Sequence, residues 1–365
     1  MRIKSLNKII YLIILLFCYS SCHNLFDDED EPVTEYLVDY EMLKSYTPTQ
    51  IEWAFDNFFS GYPDLMNIKN KFNLGLVVYE ISYNTTFQGE NKVASGLVCV
   101  PMGEGPFPVL SYQNGTNTEH NNAPSVNPNR DLYLMLEFIS SAGFVIAVPD
   151  YLGFGSSDNM FHPYLHKEST VQSVIDMLRA VEEFAGIRLI QLKDDLYITG
   201  YSQGGWATLQ LQKEIETKHS NEFRLKASAP CAGPYDLGYI NDYIRGLSEY
   251  PMPYFLGYIC HSYSNLEEMA TPVSEIFKEP YASKIPTLYN GSKSGEAINT
   301  ELTTVISNLL TQDYIQNFDT EEIYSSLRSA LEENSISAWQ TSVPTKIIHG
   351  TSDTFVPFEV SQNLH

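Results

Sequence analysis

Positive charge is scarce in this chain: 22 Lys and Arg stand against 45 Asp and Glu, a formal net charge of -23 over 365 residues. A surface that acidic repels phosphate backbones and anionic lipid, which excludes nucleic acid as a partner and any electrostatic route to a membrane. Cysteine is scarce too. Cys18 and Cys22 lie in an N-terminal leader, and Cys99, Cys231 and Cys260 are too odd and widely spaced a set for a disulfide framework. Cys99 and Cys231 sit in apolar, strand-like runs and read as small buried hydrophobes. The chain carries no His-Glu-x-x-His, no Cys–His zinc spacing, no P-loop and no dinucleotide fingerprint, so neither metal nor cofactor is expected. His162 and His166 are four apart, but Pro163 argues against one uninterrupted helix face carrying both. After the leader there is no apolar run long enough to span a bilayer.

What is present begins with that leader. Arg2, Lys4 and Lys8 precede the short apolar run Ile9–Phe17, then Ser20-Ser21 and Cys22. Residues 1–22 read as an export signal, and Cys22 as the acceptor of a lipid anchor. Asp27, Asp28, Glu29, Asp30 and Glu31 follow, a like-charge run that repels itself and stays extended. Residues 23–50 are therefore expected to be an acidic tether. The protein is expected to be an exported outer-membrane or cell-surface lipoprotein, touching the membrane through its anchor only.

Hydrophobic residues are 43% and charged residues 18% of the chain, as in globular proteins. From residue 51 strand-like and helix-like stretches alternate, the pattern of an α/β fold. Leu76–Tyr83 and Val93–Val100 predict an antiparallel pair. Pro108–Tyr112, Phe144–Pro149, Leu196–Thr199, Leu225–Ala229 and Thr345–His349 predict further strands. Leu132–Ala142, Ser169–Phe184 and Trp206–Ile215 predict helices between them. From Asp236 to Val343 no strong strand occurs and tyrosine is dense, with helices expected over Glu301–Leu310 and Glu321–Glu333. A stretch that long between two core strands is no plain loop. The expected organisation is a core over 51–235, a helical lid inserted over 236–343, and a last piece of core over 344–365.

The strongest chemical signal is Gly200-Tyr201-Ser202-Gln203-Gly204, a G-x-S-x-G run between a predicted strand and a predicted helix. In that setting the serine sits on a strained turn with its hydroxyl projecting above the sheet. The glycines remove side chains that would collide there. The N–H of Gln203, at the helix start, is positioned to stabilise an oxyanion. A second donor should follow an earlier strand, and Gln113-Asn114-Gly115-Thr116 lies there, with the Thr116 N–H as candidate. A carboxylate should follow a later strand. Asp353, just past Lys346–His349, fits. The histidine that completes such a triad follows the acid in chain order. His365 is the one histidine after Asp353 and is poorly spaced for that place, so the base is expected to lie in sequence that this chain lacks.

Together, Asp150-Tyr151-Leu152-Gly153-Phe154-Gly155, His162-Pro163-Tyr164, Gly200–Gly205 and Ala229–Tyr235 resemble the secretory lipase family of α/β-hydrolases. The resemblance implies a mostly parallel central sheet with a helical lid. It implies cofactor-free hydrolysis of small-molecule or lipid carboxylic esters through an acyl-enzyme, with Ser202 and Asp353 as triad members. Two rival readings stand beside it: a prolyl-oligopeptidase-type serine peptidase, and a surface binding protein on a catalytically dead hydrolase scaffold.

Overall fold

The structure is a computed structural model and describes residues 34–364 apart from Phe59. The leader, Cys22, the acidic run and His365 lie outside the described residues. Within the span 23–50, expected to be a tether, Leu37–Tyr46 is instead a strand, β1. It pairs antiparallel with β2 (Gly75–Phe87), from Leu37 opposite Tyr83 to Tyr46 opposite Leu76. Helix α1 (Pro48–Phe58) follows β1 and buries Ile51, Ala54 and Phe55.

Five further strands complete a seven-stranded sheet in the order β1-β2-β3-β5-β4-β6-β7. They are β3 (Glu90–Met102), β4 (Phe107–Gln113), β5 (Val145–Pro149), β6 (Leu192–Tyr201) and β7 (Arg224–Cys231). β4, β5, β6 and β7 are mutually parallel. β3 runs against β5 and against β2, so β2 shares the direction of the parallel group while β1 and β3 oppose it. The sheet is thus mixed, with most strands pointing one way. Its parallel half is built by crossovers through α2 (Asp131–Ser140), α3 (Lys167–Ile187) and α4 (Gln203–Lys218).

The period of two along each strand sorts side chains onto two covered faces. Val145 and Ala147 of β5 join the core that contains α3 and α4, whereas Ile146 and Val148 join the one that contains α1 and α2. β5 is buried at all five positions, as expected of a parallel strand with helices on both sides.

After β7 the chain leaves the sheet. The lid opens with α5 (Leu237–Arg245), whose Asp236 side chain caps the N–H of Tyr239 at 2.8 Å. It continues through α6 (Tyr254–Asn265) and several short helices to α7 (Ser325–Asn334). The helix expected over Glu301–Leu310 is absent. One short helix ends at Glu301 and another covers only Ile306–Leu309. Between them the backbone bonds sideways: Tyr250 donates to Thr304 O and Ile306 donates to Ser248 O.

The chain returns along β7 in the expected place. Pro344–Ile348 lies parallel to it through Ser228 N–H to Pro344 O, Lys346 N–H to Ser228 O, Ile348 N–H to Pro230 O and Ala232 N–H to Ile348 O. The pairing forms isolated bridges rather than a regular strand.

Asn334 fastens the lid where it re-enters the core. Its side chain accepts from Lys167 N at 2.8 Å, and its carbonyl accepts from the fully buried Trp206 and from Gln210 of α4. Replacing Asn334 by Ala removes the side-chain bonds and leaves the Lys167 N–H unpaired. We expect a loss of about 1–3 kcal/mol in the unfolding free energy, measured by urea denaturation.

Candidate active site

Ser202 is the junction of β6 and α4 and has φ 58° and ψ -121°, a conformation that side-chain-bearing residues rarely hold. Its own N–H is fixed to Cys231 O of β7 at 2.9 Å. Backbone contacts force the turn to stay tight. A Cβ on Gly204 would lie 1.9 Å from the Gln113 carbonyl oxygen, and one on Gly205 would lie 2.3 Å from the Cys231 carbonyl oxygen. Glycine at these positions is therefore a packing requirement, and it presses the end of β4 directly against the start of α4.

That contact lays the loop that carries Thr116 alongside the turn that carries Gln203. Gln203 is the first residue of α4, so its N–H has no acceptor within the helix. The loop after β4, Asn114–Asn117, passes over the same turn, and even a Cβ on Gly115 would touch the Tyr201 carbonyl. Three tyrosine hydroxyls hold this loop: Tyr151 on Asn114 O at 3.2 Å, Tyr164 on Thr116 Oγ1 at 3.0 Å, and Tyr258 on Asn117 O at 3.1 Å. Tyr258 comes from the lid helix α6 and stacks on Tyr164 with ring centroids 4.3 Å apart and planes 9° from parallel. The dense tyrosines of the lid were visible in the sequence. Their grip on the β4 loop was not, because it joins residues 141 positions apart.

Asp353 lies past the end of the Pro344–Ile348 segment, as predicted. One carboxylate oxygen accepts from Phe355 N at 2.8 Å and Val356 N at 3.0 Å. Tyr250 of the lid donates to Phe355 O at 2.9 Å and ties the same turn down from above. Phe355 and Val356 line one cavity together with Ser202. Its walls are largely apolar, with Ile240, Leu256, Ile259 and Leu327 from the lid.

The described histidines are occupied elsewhere or packed. His349 gives Nε2–H to Val356 O at 3.0 Å and meets Ser361 Oγ at 2.6 Å through Nδ1. Its Nε2 is 3.5 Å from Asp353 Oδ2. It is a fixture of the acid turn. His166 caps α3 and pairs with Glu268, and His219 meets Glu222. His261 packs against Tyr289, and His120 against Phe154.

His162, which sequence reading gave no role, is the informative one. Nδ1–H donates to Leu152 O at 2.7 Å, and Nε2 accepts from Gln203 Nε2 at 2.9 Å. It therefore orients the residue next to Ser202. The loop that supplies Leu152 is itself fixed by buried Asp150, which accepts from Ser95 Oγ and from Ser125 N and Oγ.

The profile of the secretory lipase family matches residues 121–365. The chain belongs to that family. No curated protein matches it. Among solved structures, it is similar to the rice cell wall degrading esterase LipA from Xanthomonas oryzae, with TM-score 0.79 and 25% identity, over 91% of this chain and 87% of that one. It is also similar to a hydrolase of Legionella pneumophila, described as putative, with TM-score 0.78 and 28% identity, over 90% of this chain and 87% of that one. Candida antarctica lipase A in its closed state shares the fold, with TM-score 0.63 and 14% identity over 93% of this chain and 77% of that one. Family and neighbours make this secretory lipase a lipase- or esterase-type hydrolase on an α/β-hydrolase fold.

Burial lowers the His162 pKa from its ordinary 6.5 to about 4, against the opposing pull of its bond to Leu152 O. The unfolded chain therefore takes up this proton first as pH falls. The contribution of His162 is complete above about 6.5 and is lost as pH drops through about 4. Replacing His162 by Gln should remove that part of the acid sensitivity. We expect the stability gap between parent and variant to narrow from pH 7 to pH 4 in urea titrations.

Proposed function

We propose that this secretory lipase cleaves carboxylic esters through an acyl-enzyme formed on Ser202. The observation that carries the reading is the strained Ser202 turn at the head of α4, opening on an apolar cavity. In this mechanism the Ser202 oxygen attacks the ester carbonyl. The N–H groups of Gln203 and Thr116 hold the negative oxygen that forms. A histidine aligned by Asp353 takes the serine proton and returns it to the departing alcohol, and water then releases the acid. The occupied positions of the described histidines support assigning the base to a residue downstream of Asp353 and outside the described residues. No cofactor enters these steps.

The secretory character of the family supports export of the protein. We further infer that Cys22 carries a lipid and holds it at the outer membrane or cell surface. Metabolic labelling with a tritiated fatty acid, lost in Cys22→Ser, is the expected result. The apolar cavity supports an ester with a hydrocarbon or aryl arm. The cell-wall degrading role named for Xanthomonas oryzae LipA supports esters attached to wall polymers as candidates.

The decisive experiment is hydrolysis of p-nitrophenyl esters by the product of the complete gene. We expect Ser202→Ala to lower kcat/KM by about a thousandfold or more and Asp353→Asn to lower it strongly, with folding unchanged by circular dichroism. Turnover that survives Ser202→Ala would defeat the serine mechanism. Turnover of acyl-proline amides in preference to esters would turn the reading to a peptidase, and no turnover of either would turn it to a binding protein.

A further inference from the structure

The two N–H groups assigned to the oxyanion come from different parts of the chain, Thr116 from the loop after β4 and Gln203 from the head of α4. Neither N–H bonds an acceptor among the described residues. Such a pair is useful only if each donor is held within about 0.5 Å of its place. The contact of Gly204 with Gln113 fixes the end of β4 against α4, but Thr116 lies further along the loop. Its distance from Gln203 has to be set by something that touches both.

One short segment does touch both. His162 Nε2 accepts from Gln203 Nε2 at 2.9 Å, and the Tyr164 hydroxyl bonds Thr116 Oγ1 at 3.0 Å. Between them, Tyr164 N–H returns to His162 O at 2.8 Å and closes a γ-turn around Pro163. The central residue of such a turn needs a φ close to the one that proline already has. All three residues are buried.

Each grip is oriented from behind. The Leu152 carbonyl can only accept, so His162 carries its proton on Nδ1 and leaves Nε2 as the acceptor that Gln203 meets. Gly153, at φ 88°, lets its loop lie on the His162 backbone, where a Cβ would stand 2.5 Å from the His162 Cα. Tyr164 is held by its ring, stacked on Tyr258. A glutamine at a helix start ordinarily reaches into water. Gln203 is 1% exposed, and its amide is turned onto His162.

We propose that His162-Pro163-Tyr164 is a clamp that sets the separation of the two oxyanion donors, with His162 and Tyr164 as positioning residues acting through Gln203 and Thr116. This rests on the reading of Ser202 as nucleophile and of those two N–H groups as its oxyanion hole. One turn carries both grips, so Gln203 and Thr116 cannot move apart without breaking a bond to it. The benefit falls on the transition state, where charge gathers on the ester oxygen, and not on the bound ester. Losing a grip therefore lowers kcat and leaves KM in place.

The test uses the product of the complete gene and p-nitrophenyl butyrate. Tyr164→Phe keeps the stacked ring and removes the bond to Thr116. His162→Phe keeps an aromatic ring and removes the acceptor for Gln203. Each should lower kcat about tenfold or more, with KM within about twofold of the parent. Thr116→Val removes the Tyr164 bond from its other end, so the double variant should be no slower than the slower single one. Tyr324→Phe removes another buried hydroxyl, bonded to Asp313 Oδ2 at 2.8 Å inside the lid, and should leave kcat unchanged. If His162→Phe does not fold by circular dichroism, Gln203→Leu removes the same bond from the other side and serves in its place. A rise in KM with kcat unchanged, a loss confined to one grip, full additivity of Thr116→Val and Tyr164→Phe, or an equal loss in Tyr324→Phe overturns the clamp. Ser202-dependent turnover that these variants leave unmoved sinks the clamp alone. Absence of such turnover in the parent sinks the hydrolase reading and the clamp with it.

Discussion

The turn at Ser202 can hold its strained backbone because two separate parts of the chain, the ends of β4 and β7, close on it. Its N–H is taken by Cys231 at the end of β7, Gly205 packs on the same carbonyl, and Gly204 packs on the end of β4. A positive φ on serine costs of the order of 1–3 kcal/mol and persists only where its surroundings over-determine it. Here the surroundings are neighbouring parallel strands, β4, β6 and β7, whose carboxyl ends converge. The rest of the site follows from that convergence. The loop after β4 must pass over the turn, and the segment bonded to β7 must deliver Asp353 to the same edge of the sheet.

The lid acts on this edge through tyrosines. Tyr258 holds the loop that carries Thr116, and Tyr250 holds the turn that carries Asp353. Each ring buries a large apolar area while its hydroxyl satisfies a backbone carbonyl, which is what a roof over a half-dry site requires. A phenylalanine in either place would keep the packing and leave a carbonyl short of its donor. Within the tyrosine-dense stretch, Tyr250, Tyr258 and Tyr263 each satisfy a backbone carbonyl, those of Phe355, Asn117 and Leu165.

How far the sequence could be read follows the range of the interactions. β2 was legible because burial alternates along its second half, β3 because Leu97–Val100 is a continuous apolar run in a buried stretch, and the serine turn because its glycines and its strand–helix setting are contiguous. β1 was hidden in a polar stretch. It is an edge strand with Leu37 its one fully buried side chain, so it carries little hydrophobic signal. The helix expected over Glu301–Leu310 failed for the opposite reason. Leu302, Ile306, Leu309 and Leu310 are all buried at roughly helical spacing, but Thr304 and Ile306 bond to Tyr250 and Ser248, and those distant partners break the helix. At the site, the residues flanking Ser202 were readable. The His162–Gln203 bond was not, because no local pattern encodes a contact over 41 residues.

The lid and the sheet share one continuous hydrophobic core. Leu237, Ile240, Ile244, Leu256, Tyr263 and Leu331 of the lid belong to the same cluster as Val174, Leu178 and Trp206 beneath it. Lifting the lid as a rigid flap would expose those side chains at about 25 cal/mol for each Å² of apolar surface, and would also break the bonds of Asn334 and the two tyrosines. The cavity walls are therefore fixed by the same packing that holds the fold together. In such a site selectivity comes from which atoms the walls present, and a change of one wall residue alters substrate choice at the same time as it alters stability.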